Sequence, residues 1–346
     1  MKASLLRVGN LSLLVLAALA AWLWYDMDNY LHTPLQVSPE GYVLEVPMGS
    51  HLTRILHELN QARILTKPVY LKIYARWHGL GDKIHVGEYQ LTAEMTPAQL
   101  LKELHEGKVI QYSITIVEGW TFAQLIDHIK SNPYLKHTLS EYTPQAIMTA
   151  LGDADMQPEG RFMADTYFYP RGLSDVDFLK RSYDAMATYL AQKWPERDVG
   201  LPVKTPYEAL ILASIVEKET GLAEERAMIA GVFSRRLQKR MRLQSDPTVI
   251  YGMGEQYQGN IRRRDLNADN PYNTYQRFGL PPTPIALPGR DAIDAVLHPQ
   301  EGDALYFVSK GDGSHYFSAT LEEHNEAVIR YQLKGRKKPF SSYKVQ

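Results

Sequence analysis

The chain opens on an uncharged apolar run, Val8 to Tyr25 (VGNLSLLVLAALAAWLWY), between Lys2 and Arg7 on one side and Asp26 and Asp28 on the other. A helix of that length can cross the hydrocarbon core of a bilayer. Positive charge before the run favours a cytoplasmic amino terminus, with the remainder outside. Trp22, Trp24 and Tyr25 stand where an interfacial aromatic belt would. Ala18, Ala20 and Ala21 also offer small-residue sites for a cleaved signal. The aromatic flank favours an uncleaved anchor, and either reading exports the rest.

Beyond a short linker at 26–40, the pattern predicts a strand at Tyr42–Val46. A helix at Leu52–Asn60 follows, with Leu52, Ile55, Leu56 and Leu59 at helical spacing. A helix at Pro68–Trp77, a strand at Val86–Thr92 and a helix at Ala98–Glu106 come next, the last started by Thr96-Pro97. The strand–turn–helix theme then repeats, with Tyr112–Val117, Glu118-Gly119 and Thr121–Ile129. VEGWTFAQLIDHI echoes VPMGSHLTRILHEL at Val46–Leu59.

From about Ala146 helical stretches alternate with polar, aromatic loops. Gln244–Gly254 and Asn270–Pro288 are long enough to suggest function. A hairpin is expected at Ala304–Val308 and His315–Ser318, and a last helix at Leu321–Leu333. The fold class is α+β: a membrane anchor helix, a small βααβ unit, and a larger mixed part.

The helix most clearly signalled is TPYEALILASIVEKETG, Thr205 to Gly221. Thr205, Pro206 and Glu208 form a capping box, and Gly221 is a natural stop. At about 100° per residue Ala209, Leu212, Ile215 and Val216 share a stripe, and Glu219 falls within it. Glu217 and Lys218 point elsewhere, so Glu217→Gln is expected to have only a mild effect on activity. Partial burial and the negative end of the helix both disfavour the Glu219 anion. A carboxyl kept neutral is what a general acid requires. The alternatives are a satisfied structural carboxylate and a frayed, solvated last-turn residue.

Composition narrows the field. A formal net charge of -1 gives no support to nucleic-acid binding. With no cysteine, thiol catalysis, disulfides and thiolate zinc are excluded. No His-Glu-x-x-His spacing marks a metal, and neither cofactor nor metal is expected. Ser214 lies within a helix without a nucleophile-elbow motif, and Gly252-Met253-Gly254 lacks the third glycine of a nucleotide loop.

Six segments, in order, carry a resemblance. They are PEGRFMADTY (Pro158–Tyr167), ASIVEKETG (Ala213–Gly221), ERAMIAGVFSRRL (Glu225–Leu237), MRLQSDPTVIYGMG (Met241–Gly254), NPYNTYQRFGLPPTPIALPG (Asn270–Gly289) and LYFVSKGDGSHYFSATLEEHN (Leu305–Asn325). Together they resemble the endolytic murein transglycosylases of the YceG-like family. Ala164 replaces that family's usual Pro, and Ser245 a frequent Thr.

The resemblance implies Glu219 as the catalytic acid/base and a LysM-like unit at 29–110. It implies an anchor at 1–28 and a catalytic domain at 111–346, whose first part, 111–145, is a strand–helix linker. It further implies lytic cleavage of the β-1,4 bond between N-acetylmuramic acid and N-acetylglucosamine to 1,6-anhydro ends. That reaction would terminate or trim new glycan strands from the outer side of a bacterial inner membrane. Expected partners are the glycan strands, the membrane and peptidoglycan synthases. Candidate sugar-groove residues are Gln244, Asp246, Thr248, Tyr251, Tyr272, Asn273, Thr274 and Tyr275, with Asp165 and Asp246 as possible second carboxylates. A water-using muramidase and a non-catalytic wall-binding protein are the rivals.

Overall fold

The structure, a computed structural model, describes residues 2–336, those up to residue 10 by backbone alone. Lys2 and Arg7, on which the orientation argument rests, lie outside the described side chains, as does the segment 337–346. The protein is α+β, begins with an apolar helix, and divides into two compact units.

The first unit comprises residues 1–112 with Phe168–Gly172. Helix α1 (Lys2–His32) is exposed from Leu11 to Tyr25, yet Met27 and Leu31 are buried in this unit's core. The expected linker is therefore helical through His32, because these two residues, one turn apart, gain a packed face. Strand β1 (Tyr42–Val46), helix α2 (Leu52–Gln61), helix α3 (Pro68–His78) and strand β2 (Gly87–Leu91) follow. β1 and β2 pair antiparallel from Tyr42↔Leu91 to Val46↔Gly87. Helix α4 (Pro97–Glu106) starts with Thr96 and Gln99 capping each other's backbone N–H. Leu52, Ile55, Leu56 and Leu59 are all buried, as their spacing predicts.

Strand β3 (Gln111–Thr115) leads to helix α5 (Phe122–Lys130) and helix α6 (Pro144–Leu151). Strand β4 (Thr166–Pro170) pairs with β3. The second unit, Ser113–Tyr167 with Leu173–Gln346, continues through α7 (Asp175–Lys193), α8 (Pro206–Glu219) and α9 (Ala223–Gln238). Then come α10 (Asp246–Met253), α11 (Arg263–Leu266) and α12 (Arg290–Leu297). An antiparallel hairpin of β5 (Tyr306–Ser309) and β6 (His315–Ser318) and a helix α13 (Leu321–Tyr331) complete it.

Helix α8 is the axis of this unit. Every residue from Ala209 to Val216 is buried, not one stripe alone. A helix apolar all round must be enclosed, and residues of α9 and α12 join the same core. Its start is half a capping box: Thr205 Oγ1 accepts from Glu208 N at 3.1 Å, while the Glu208 carboxylate accepts from Lys204 N. Its end is not made by Gly221. Thr220 turns into extended backbone at φ -146°, so the helix stops abruptly at Glu219.

Leu212 has no exposed surface and packs in the core of this unit. Leu212→Ala is expected to destabilise the protein by about 2–5 kcal/mol, read as a lower urea midpoint at unchanged slope.

Candidate active site

Glu219 ends α8 on the wall of a cleft of about 460 Å³. Its side chain is part-buried, open toward the cleft and crowded elsewhere. Burial is the main cause that pushes its carboxyl up to about 7. The nearby Asp246 charge adds to that rise. A hydrogen bond from Ser245 and the charge of Arg236 oppose it.

Ser245 Oγ donates to Glu219 Oε1 at 2.5 Å. Ser245 occupies the N-cap position of α10 but gives its hydroxyl to Glu219 instead of capping that helix. The segment expected as a loop at Gln244–Gly254 is thus largely helical. Asp246-Pro247, read as a turn starter, instead opens α10, where proline is tolerated in the first turn. Gln244, at φ +52°, adopts the left-handed conformation that brings the chain round to this point. Its N–H donates to Thr274 O at 3.2 Å.

Two carboxyls that the helical phase separated differ less than expected. Glu217 is also part-buried, and burial is the first cause raising its pKa. It accepts the Gly289 N–H at 2.9 Å and lies 3.7 Å from the Arg226 guanidinium. Glu217 lies off the stripe yet still meets protein, because Gly289 and Arg226 pack against that side of α8, whereas its neighbour Lys218 is exposed. Ser214 is fully buried; it donates to Ile211 O and accepts from Ile285 N, a structural role.

Of the sugar-groove candidates, Gln244, Asp246 and Tyr275 line the cleft with Glu219. Tyr275 OH donates to Asp246 Oδ1 at 2.6 Å. Thr248, Asn273 and Thr274 do not reach it. They are buried, with 0%, 1% and 2% exposure. Asn273 Nδ2 donates to the carbonyls of Asp265, Leu266 and Ala268, and its Oδ1 accepts from Tyr275 N. Thr248 and Thr274 share a hydroxyl contact of 2.8 Å, and Thr274 Oγ1 accepts the Ser245 N–H. These three are corrected from sugar contacts to loop builders. Buried polar groups need partners, and here the protein supplies them.

Tyr251 and Tyr272 pack on each other and on the core, outside the cleft. Their hydroxyls meet Glu159 and Thr283 respectively. Asp165 is exposed and pairs with Arg290 at 3.0 Å, also away from the cleft lining.

The opposite wall was not anticipated. It comes from β5, β6 and α13, with Tyr306, His315 and His324 facing the cleft. Arg236 lies over the Tyr306 ring at 5.1 Å, and His324 stacks on the same ring. His315 contacts Glu225 through Nδ1 at 2.7 Å, and its N–H donates to the other oxygen of that carboxylate. The two residues are 90 positions apart, so no local pattern signals them; only the order of the motifs that contain them does. Among the described residues no group of three or more His, Cys, Asp or Glu could hold a metal ion.

These features define a class: an α+β protein whose cleft holds one carboxyl able to give and take a proton near neutrality. Residues 44–330 match the YceG-like family, and the chain belongs to it. A Bacillus subtilis strain 168 protein called endolytic murein transglycosylase is 27% identical over 310 residues, covering 83% of this chain and 84% of its own. A Streptococcus pneumoniae serotype 2 protein of the same name is 28% identical over 339 residues, 89% of this chain but 61% of that protein. The crystal structure of a yceG-like protein from Listeria monocytogenes matches with a TM-score of 0.54 at 30% identity, over 84% of this chain and 99% of that one.

Two outcomes follow. Ser245→Ala removes a bond that favours the Glu219 anion, so the pH above which an acid-dependent activity fades, near 7 with Ser245 present, is expected to move upward in a pH–rate profile. Glu217→Gln weakens the acceptor for Gly289 N–H and Arg226, and a loss of about 1–3 kcal/mol is expected on denaturant unfolding. An unchanged midpoint would show that these two contacts do not stabilise the fold.

Proposed function

We propose that this protein is an endolytic lytic transglycosylase of peptidoglycan, anchored in the inner membrane by α1, with its catalytic part in the periplasm. The observation that carries the reading is a single carboxyl, Glu219, with a pKa of about 7 on a cleft wall. The names of the relatives point to the same chemistry.

Glu219, protonated below about pH 7, gives its proton to the glycosidic oxygen between N-acetylmuramic acid and N-acetylglucosamine. The C1–O bond breaks as the leaving sugar takes that proton. The C6 hydroxyl of the same muramoyl residue then closes on C1, and Glu219 takes up its proton. The product carries a 1,6-anhydro end, and the acid is restored. Ser245 Oγ, already donating to Glu219, stabilises the carboxylate between the two steps. The internal nucleophile removes the need for a second carboxylate and an activated water. Gln244, Asp246 and Tyr275 supply polar groups for the sugar ring and its acetamido group. The βααβ unit, β1 to β2, serves as a LysM-like grip on the strand, and the reaction ends or trims new strands beside the peptidoglycan synthases.

Asp246 on the same cleft supports a second reading, a muramidase in which this carboxylate activates water. Mass spectrometry of products from nascent glycan separates the two. Anhydro-muramoyl ends are expected, reducing ends would identify a muramidase, and uncut strands would leave a binding protein. Glu219→Gln is expected to reduce cutting at least about a thousandfold while its circular dichroism spectrum and melting remain those of a folded protein. Normal digestion by that variant would remove Glu219 from the mechanism.

A further inference from the structure

Helix α3 has two apolar faces, and only one is used in the core. Leu71 and Ala75 are buried among the first unit's core residues. Val69, Ile73 and Trp77 are exposed, at 63%, 36% and 60%. At about 100° per residue the two sets point about 180° apart. Lys72 and Arg76 flank the exposed stripe on one side, Tyr70 and Tyr74 on the other.

α3 is fastened to α1 at both of its ends. Lys67, just before the helix, reaches Asp26 at 2.7 Å, and Tyr70 OH donates to the same carboxylate at 2.6 Å. Trp77, at the far end, stacks on Trp24 with ring centroids 5.7 Å apart. Trp24 and Asp26 are separated by about 3 Å along α1, whereas Lys67 and Trp77 are about 15 Å apart along α3. α3 therefore crosses α1 instead of running beside it.

The crossing level is where α1 changes character. Leu11 to Tyr25 expose an apolar surface, Asp26 brings the first charge after that run, and Met27 and Leu31 turn into the core. The stacked Trp24 and Trp77 join the exposed surface of α1 to the stripe of α3. If α1 stands across the bilayer, α3 lies in its plane at the water boundary.

We propose that the Val69–Ile73–Trp77 face of α3 is seated in the lipid headgroup and upper acyl region, so that the first unit rests on the bilayer instead of hanging from α1 alone. Trp and Tyr at the rim and Lys72 and Arg76 reaching outward match what an interfacial helix requires. Long basic side chains can lay their stems on the apolar layer with their charge in the headgroups. The proposal rests on the reading of α1 as a membrane span.

The chain contains no cysteine, so single labels are clean. The full-length protein is reconstituted in phosphatidylcholine–phosphatidylglycerol liposomes as Ile73→Cys, Leu19→Cys or Lys102→Cys, each carrying a nitroxide. Collision with oxygen and with a water-soluble nickel chelate reports depth. The expected oxygen-to-nickel ratio at position 73 exceeds that at the exposed position 102 by at least about threefold, and falls below that at position 19. A water-like ratio at 73 beside a lipid-like ratio at 19 would overturn the interfacial seat and leave the anchor standing. Water-like ratios at both would remove the anchor and the proposal together. A label at 73 shielded from both reagents would mean that protein covers the stripe, and would also overturn it.

Discussion

The end of an all-round buried helix is the constraint on which the site depends. α8 has no solvent face between Ala209 and Val216, and in its last turn Glu217 and Glu219 remain part-buried, where a carboxylate is costly. Glu217 and Glu219 meet that cost differently. Glu217 is held by a backbone N–H and faces a guanidinium, partners that favour its charged form. Glu219 has one neutral hydroxyl within hydrogen-bond reach, which only partly offsets the effect of burial. Two residues apart on one helix, one carboxyl is tied as an anchor and the other is left free to exchange a proton. The abrupt stop at Thr220 puts the second at a wall instead of in the core.

The polar loops around it obey the same rule. Asn273 spends its amide on three carbonyls, and Thr248, Thr274 and Ser245 form a connected buried set ending at Glu219. Such groups fix loop shape because leaving any of them unpaired indoors costs more than the bond yields. The residues left for a ligand are those at the edge, Gln244, Asp246 and Tyr275, with the far wall provided by the carboxy-terminal hairpin and α13.

Local patterns in the sequence were sufficient for α2, whose apolar spacing is clear, for α4 and α8, which also carry caps, and for the terminal hairpin. They were insufficient where a residue's role is set by a distant partner. Asp246-Pro247 reads as a turn, but in three dimensions it begins a helix whose N-cap hydroxyl is claimed by Glu219. The polarity of the 270–288 segment was legible; its inward direction was not, because satisfaction by neighbouring carbonyls leaves no periodic signal. His315 and Glu225 meet only through the tertiary fold. The two apolar faces of α3 also look alike in sequence, and burial alone tells them apart.

Glu159 shows why proton affinity by itself does not choose the acid. Its carboxyl is buried and, like that of Glu219, pushed up to about 7, with burial the first cause. It accepts the Phe122 N–H at 2.9 Å and the Tyr251 hydroxyl at 2.9 Å, linking the start of α5 to α10. Both oxygens therefore have donors inside the protein, and Glu159 is not among the residues that line the 460 Å³ cleft. A proton held there does not face this cleft. Equal affinity for a proton thus separates into two roles, by access to the cleft and by how many donors each carboxyl already has. Glu219, with one hydroxyl partner, is the carboxyl of the two that lines the cleft.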